Sequence, residues 1–299
     1  MTLGASVTYR PRITVVTPVY NRADELRRAL RSVAAQTLSH FECIVVDDAS
    51  ECSLERVVSD FDERFIYVRN QRNTGPNGAR RLAMTRMRGE ILIGLDSDDE
   101  MYPWALARAW HYLQARPEVD AVCGMYVSPD GLQGRVRGGA RVVTPQDYAK
   151  GRTMLCDVVG AVRWPVVQEW LQADPGYFTL EFRHWLTVGM RHSQLFVDEP
   201  WARVNFDSSS RVSHSTDDRT FRDAKLFVQE CRPLFGTTPC EPLDNYLRRA
   251  WLSLRIRRRP EAALLKAWMD ERGIDARSMP FLRAWEKLTG RIRPPACIL

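Results

Sequence analysis

Apolar and polar positions alternate between two periods over the first 125 residues. Ile13–Val19, Phe41–Asp47, Phe65–Val68, Glu90–Leu95 and Val119–Val127 are short, β-branched-rich runs, the signature of buried strands. Between them the apolar positions spread to helical spacing. Leu26, Ala29, Leu30, Val33 and Ala34 form one stripe, with Asn21 as the expected N-cap. Leu54, Val57, Val58 and Phe61 form a second. Pro76 opens a helix carrying Ala79, Leu82, Ala83 and Met87, and Pro103 opens another with Leu106, Trp110 and Leu113. Repeated strand–helix units predict an α/β fold with a mostly parallel sheet flanked by helices. Residues 131–139, rich in Gly and Arg, read as an exposed hairpin or loop. Residues 154–215 mix strand-like runs with one helix near 180–188, and the chain after Thr216 is mainly helical.

Polar chemistry gathers where the strands end. Thr17-Pro18-Val19-Tyr20-Asn21-Arg22, Asp47-Asp48-Ala49-Ser50 and Asp96-Ser97-Asp98 each follow a strand. In a parallel sheet such ends share one edge, the edge where ligands bind. The run Ile91–Leu95 breaks abruptly into Asp96-Ser97-Asp98-Asp99. Buried strands cannot hold unpaired carboxylates, so the chain reaches a polar site by Asp96. In an extended chain Asp96 and Asp98 face one cleft and Ser97 the other way, and two such carboxylates can hold a divalent cation. The competing reading has Asp98 and Asp99 capping the helix after Pro103.

Charge and cysteine change the picture modestly. The 299 residues are 44% hydrophobic with a net charge of +6. Residues 241–299 carry 13 Lys/Arg and 7 Asp/Glu, so the rest is balanced and the basic character belongs to the tail. A neutral core without a recognised motif argues against nucleic-acid binding. The seven cysteines form no CxxC pair, which fits reduced structural thiols. The absence of a leader-like or 18-residue apolar run predicts a soluble, cytoplasmic protein, with peripheral membrane contact as an alternative. Trp251, Trp268 and Trp285, each preceded by Arg/Lys-Ala, recur every 17 residues. They are expected to pack short helices onto the core or a second subunit as a homodimer. The alternative is contact with an anionic membrane.

In their order and spacing, Thr-Pro-Val-Tyr-Asn-Arg (17–22), Ser-Val-Ala-Ala-Gln-Thr (32–37), Phe-Glu-Cys-Ile-Val-Val-Asp-Asp-Ala-Ser (41–50), Asn-Thr-Gly-Pro-Asn-Gly-Ala-Arg (73–80) and Gly-Glu-Ile-Leu-Ile-Gly-Leu-Asp-Ser-Asp-Asp (89–99) resemble a family 2 glycosyltransferase of the GT-A fold. The resemblance covers roughly 13–127, weakens to 215 and stops in the tail. It implies a GT-A catalytic domain over 1–215 followed by a helical, basic extension over 216–299. It further implies a nucleoside-diphosphate-sugar donor (uridine being the commonest base), a Mn²⁺ or Mg²⁺ cofactor, and inversion at the anomeric carbon. The acceptor would be a hydroxyl on a glycan, a lipid-linked sugar or a small metabolite.

On this resemblance Thr17, Pro18 and Tyr20 line the base pocket and Asp48 bonds the base. Arg22, Asn73, Gly75, Arg80 and Ser97 complete the nucleotide-sugar pocket. Asp96 approaches the ribose or sugar, and Asp98 holds the metal with Asp96. A solvated helix face is the competing reading of Arg80, which neighbours Arg81 and Arg86. Glu181 takes the place of the family's acidic dipeptide and is the expected general base, although Phe182 stands where Asp is usual. Asp174 and His184 are the alternatives. His214 would be a third metal ligand and Arg211 a phosphate contact. A non-catalytic nucleotide-sugar-binding protein is a second reading. A sugar nucleotidyltransferase is a third, weakened because the first strand is followed by Pro-Val-Tyr-Asn-Arg without glycine.

Overall fold

The computed structural model describes residues 10–128, 131–132, 140–150, 158–173, 176, 182–205 and 218–275. The chain forms β1 (Ile13–Val19), α1 (Ala23–Ala34), β2 (Phe41–Asp47), α2 (Glu55–Ser59), β3 (Phe65–Arg69), α3 (Gly75–Met84), β4 (Ile91–Gly94), β5 (Glu100–Met101), α4 (Ala105–Ala115) and β6 (Ala121–Ser128). It continues through β7 (Gly131–Leu132), β8 (Ala140–Val143), α5 (Pro145–Ala149), β9 (Val158–Arg163), α6 (Trp164–Ala173), α7 (Phe182–Arg191) and β10 (Gln194–Arg203). Helices α8 (Asp218–Phe235), α9 (Glu241–Ile256) and α10 (Glu261–Glu271) follow.

The sheet runs β3-β2-β1-β4-β9-β6-β10-β5, with β7 beside β6 and β8 beside β10. Strands β3, β2, β1 and β4 are mutually parallel, and β6 is parallel to β10. Strand β9 is antiparallel to both of its neighbours and joins the two blocks. All seven residues of β1 and of β2 are buried, as expected of strands covered on both faces. Helix α1 buries Leu26, Ala29, Leu30 and Val33 against them, the stripe visible in the sequence.

Packing divides the chain into two compact units. The first gathers residues 10–142, 158–173 and 192–205 and contains the sheet. The second gathers 143–150, 182–191 and 218–275. Its helices α8–α10 have their own core, in which Phe227 meets Tyr246 and Trp268 at ring-centroid distances of 4.8 and 6.1 Å. Trp268 is fully buried there, Trp251 is half-buried, and Trp285 lies outside the described residues. No helix among the described residues is long and apolar enough to cross a membrane.

Two local expectations are corrected. Residues 158–203 hold two helices rather than one, because Trp164–Ala173 is helical. Its β-branched Val166 and Val167 are buried on a helix with Pro165 in its first turn, so packing overrides their strand preference. Arg22, not Asn21, is the N-cap of α1, and it makes no side-chain cap bond. Asn21 is held elsewhere, as the site shows.

Candidate active site

Three loops meet at the carboxyl edge of β1, β2 and β4. After β1 the chain leaves Tyr20 44% exposed and turns at Asn21, whose φ is +54°. Asn tolerates this left-handed conformation better than most residues. The opposing loop fixes it: Asn21 N–H donates to Ser50 Oγ at 2.9 Å, and Glu51 N–H donates to Asn21 Oδ1 at 2.8 Å. A side chain so engaged cannot cap α1.

The loop after β2 hangs on Asp47, whose side chain is fully buried. Its carboxylate accepts from Ser50 N–H at 2.8 Å, Tyr67 Oη at 2.6 Å and Arg69 Nη1 at 2.7 Å. Burial alone would push this carboxyl up, but the donors from Tyr67, Ser50 and Leu54 outweigh it and hold the pKa below the usual value. These bonds keep Ala49 in the left-handed region at φ +62°, which costs an L residue about 1–2 kcal/mol. Asp48 pins the third loop. It accepts from Asn70 Nδ2 at 2.7 Å, Thr74 Oγ1 at 2.8 Å and the N–H of Gly75 at 2.7 Å. Gly75 has φ +80° and opens α3. Both Asp48 oxygens are thus engaged by the 70–75 loop, beside the nearby Asn73.

The segment after β4 is a turn rather than extended chain, since Asp99 N–H returns to the carbonyl of Asp96 at 3.1 Å. The alternating geometry expected for Asp96 and Asp98 is therefore replaced by a tighter one. One carboxylate oxygen from each of Asp96, Asp98 and Asp99 lies within 4.8 Å of the others. Asp98 and Asp99 are buried, while the side chain of Asp96 is 50% exposed. Ser97 is buried between them. Capping does not explain the acids, for Trp104 is the N-cap of α4 and α4 has no side-chain cap bond.

Two arginines face the cluster. Arg22 Nη1 pairs with Asp98 Oδ2 at 3.0 Å, and Arg80 Nη2 pairs with Asp96 Oδ1 at 2.5 Å. The Arg80 side chain is 15% exposed and also touches Asn77 Oδ1, so it belongs to the site rather than to a solvated helix face. Like charges this close are tolerable only with cationic partners. Three oxygen donors within reach of one point suit a hard divalent cation, so the residues fit the expected metal. Thr17 and Pro18 are buried in β1 just behind this edge.

Sequence reasoning missed two members of the site. Asp99 was visible as the third acid, but extended geometry turned it away. Asn205 braces the turn, donating from Nδ2 to the carbonyl of Asp98 at 3.0 Å and to Glu100 Oε1 at 3.1 Å. It lies far along the chain, and no local pattern marks it. Glu181, Asp174, Arg211 and His214 lie outside the described residues. His184 sits half-buried on α7.

The sequence profile described as glycosyl transferase family 2 matches residues 14–163, just over half of the chain. The chain belongs to glycosyl transferase family 2. Among curated relatives of this family 2 chain, an uncharacterized glycosyltransferase of Haemophilus influenzae is 30% identical over 161 residues, 50% of each chain. The putative colanic acid biosynthesis glycosyl transferase WcaA of Escherichia coli is 32% identical over 129 residues, covering 42% of this chain and 45% of that one. The putative teichuronic acid biosynthesis glycosyltransferase TuaG of Bacillus subtilis is 32% identical over 111 residues, covering 36% and 44%. The chain spans about half, or less, of the length of these relatives. Among solved structures, S. aureus TarS 1–349 in complex with UDP-GlcNAc superposes with a TM-score of 0.66 at 17% identity, covering 87% of this chain and 81% of that one. At that identity the likeness speaks for the fold, a GT-A sheet flanked by helices.

Proposed function

We propose that this family 2 glycosyltransferase moves a sugar from a uridine-diphosphate sugar to an acceptor hydroxyl, with inversion and with a divalent cation. The observation that carries the reading is the Asp96–Asp98–Asp99 cluster facing Arg22 and Arg80 at the carboxyl edge of the parallel strands. TarS, of the same fold, is described with UDP-GlcNAc, which supports uridine as the base. Tyr20, exposed beside the Asn21–Ser50 clamp, offers a face for the base to stack on. Asp48 holds Asn70, Thr74 and Gly75 at the wall of that pocket, with Asn73 in the same loop, and a base N–H replaces one of its present donors.

Transfer needs the acceptor oxygen to attack the anomeric carbon as the bond to the diphosphate oxygen breaks. Glu181 takes the hydroxyl proton, being the acid left of the family's acidic dipeptide, one position before the usual base, where this chain has Phe182. Asp98, with Asp96, would hold the Mn²⁺ or Mg²⁺, which would supply Lewis-acid neutralisation of charge on the leaving diphosphate. Arg22 and Arg80 exchange their carboxylate partners for phosphate oxygens, keeping charge-assisted contacts throughout. Arg211 would contact the diphosphate and His214 would be a third ligand to the metal, the roles that the family resemblance gives them.

Thermal stability against a panel of nucleoside diphosphates, with Mn²⁺ and with EDTA, tests the reading. The expected result is stabilisation by UDP alone among the panel, by about 2.7 kcal/mol at a hundredfold excess over Kd, lost in EDTA. A flat response to every nucleotide would overturn it.

A further inference from the structure

The second compact unit carries an uneven charge that the transfer reaction does not use. Residues 246–260 hold six arginines (248, 249, 255, 257, 258 and 259) and no acid, a net of +6 equal to that of the entire chain. The other 284 residues are therefore balanced. Four of these arginines crowd the turn between α9 and α10, where Arg258 adopts φ +53°. Arg249, Arg255 and Arg258 are exposed.

The acids of these two helices lie mainly at the opposite ends. Glu241 and Asp244 begin α9, while Asp270 and Glu271 end α10. They are largely engaged within the unit: Asp244 pairs with Arg272 at 2.7 Å, Asp270 with Lys266, and Glu271 with Arg232. Of the acids near the turn, Glu261 reaches Arg259 at 3.6 Å. The α9–α10 pair is thus charge-polarised along its length, with the cationic end at the turn.

Apolar surface accompanies that end. Leu264, in the first turns of α10, is 42% exposed beside exposed Ala263. The guanidinium of Arg255 lies 5.1 Å above the ring of half-buried Trp251. Arginines that spread over an aromatic, next to a protruding leucine, match a surface that enters lipid headgroups while its charges stay with phosphate. Nucleic acid would engage the arginines but leave Leu264 unrewarded.

We infer that the α9–α10 turn is a docking surface for an anionic lipid bilayer. Arginines near such a surface contribute additively, roughly fivefold in partitioning for each one. Exposed Arg249, Arg255 and Arg258 supply on the order of a hundredfold between them. The inference stands apart from the catalytic reading, since lipid binding requires no turnover.

Vesicle flotation of the full chain tests it. The protein is expected to float with mixed phosphatidylcholine–phosphatidylglycerol vesicles at ~0.1 M salt, and to stay behind with pure phosphatidylcholine or at ~1 M salt. Combined Arg249→Gln, Arg255→Gln and Arg258→Gln should lower partitioning on the order of a hundredfold while the thermal midpoint holds. Leu264→Ser alone should weaken binding without changing its salt dependence. Failure of the unaltered chain to float with anionic vesicles, or undiminished floating of the folded triple variant, would overturn the inference. So would tighter binding to a DNA duplex than to the vesicles at the same salt, which would reassign the surface to nucleic acid.

Discussion

The two edges of the parallel block β2-β1-β4 use the same side chains to opposite ends. At the amino edge, Glu42 is fully buried and every donor it meets is complementary. Thr14 Oγ1 gives 2.7 Å, Arg88 N–H 2.6 Å and Arg88 Nε 2.6 Å. Thr14 Oγ1 in turn accepts from Gly89 N–H at 3.0 Å. One acid, one arginine and a hydroxyl there staple the start of β4 to β1 and β2. At the carboxyl edge three acids crowd within 4.8 Å, two arginines pair with Asp96 and Asp98, and Asn21, Ala49 and Gly75 all have positive φ. A satisfied pair stabilises a fold. A like-charge cluster on loops at positive φ does not serve packing in that way, and it persists because the surrounding sheet is stable enough to hold it.

Substitutions should separate these roles. The largest expected effect is on turnover: Asp98→Ala should lower kcat/KM about a thousandfold, the order of one lost charge-stabilising contact in the transition state. Circular dichroism and the thermal midpoint should stay close to those of the unaltered chain, because one repelling charge leaves with its ligand role. A loss of folding would make the carboxyl edge a staple like the other. Glu42→Ala should do the reverse, lowering stability by about 2–3 kcal/mol in urea titrations. It leaves buried Thr14 and the Arg88 N–H without an acceptor, while kcat per folded molecule is maintained.

The strain itself can be probed at Asn21. Asn21→Gly keeps the left-handed backbone but loses the bond to Glu51, and should raise the donor KM a few-fold at constant kcat. Asn21→Ala adds the left-handed penalty of about 1–2 kcal/mol and should raise KM about tenfold or more, through the displaced Arg22. Equal effects of the two would remove backbone strain from the account. The smallest effect is expected at Ala49→Gly, where relief of φ +62° exceeds the entropy cost of glycine. Stability should rise by about 0.5–1 kcal/mol, read as a higher urea midpoint at unchanged slope.

Acid stability offers a further view of the carboxyl edge. Asp47 ionises more readily in the folded chain than at its ordinary value of 3.8. Its contribution is therefore complete above that value and is lost as pH falls through the lower folded pKa. Asp47→Asn should flatten the acid limb of stability below about pH 4.

The alternation of β-branched runs with helical stripes was enough, by itself, to set the α/β class, strands β1–β4 and β6, and the helices at Pro76 and after Pro103; the short β5 carried no such signal. Those signals are local: burial on both faces demands continuous apolar strands, and proline and spacing mark helices wherever they fall. The same rules brought Thr17–Arg22, Asp47–Ser50 and Asp96–Asp98 to one edge, because parallel strands end together. Tertiary structure alone decided what each acid does there. Asp47 and Asp48 are neighbours in the chain, yet one is buried under Tyr67 and Arg69 while the other pins Thr74 and Gly75. Asp99 joined the cluster only because 96–99 closes as a turn, and Asn205 reached it through the return of β10. Hydrogen bonds between loops distant in sequence fix these choices, and no periodicity along the chain encodes them.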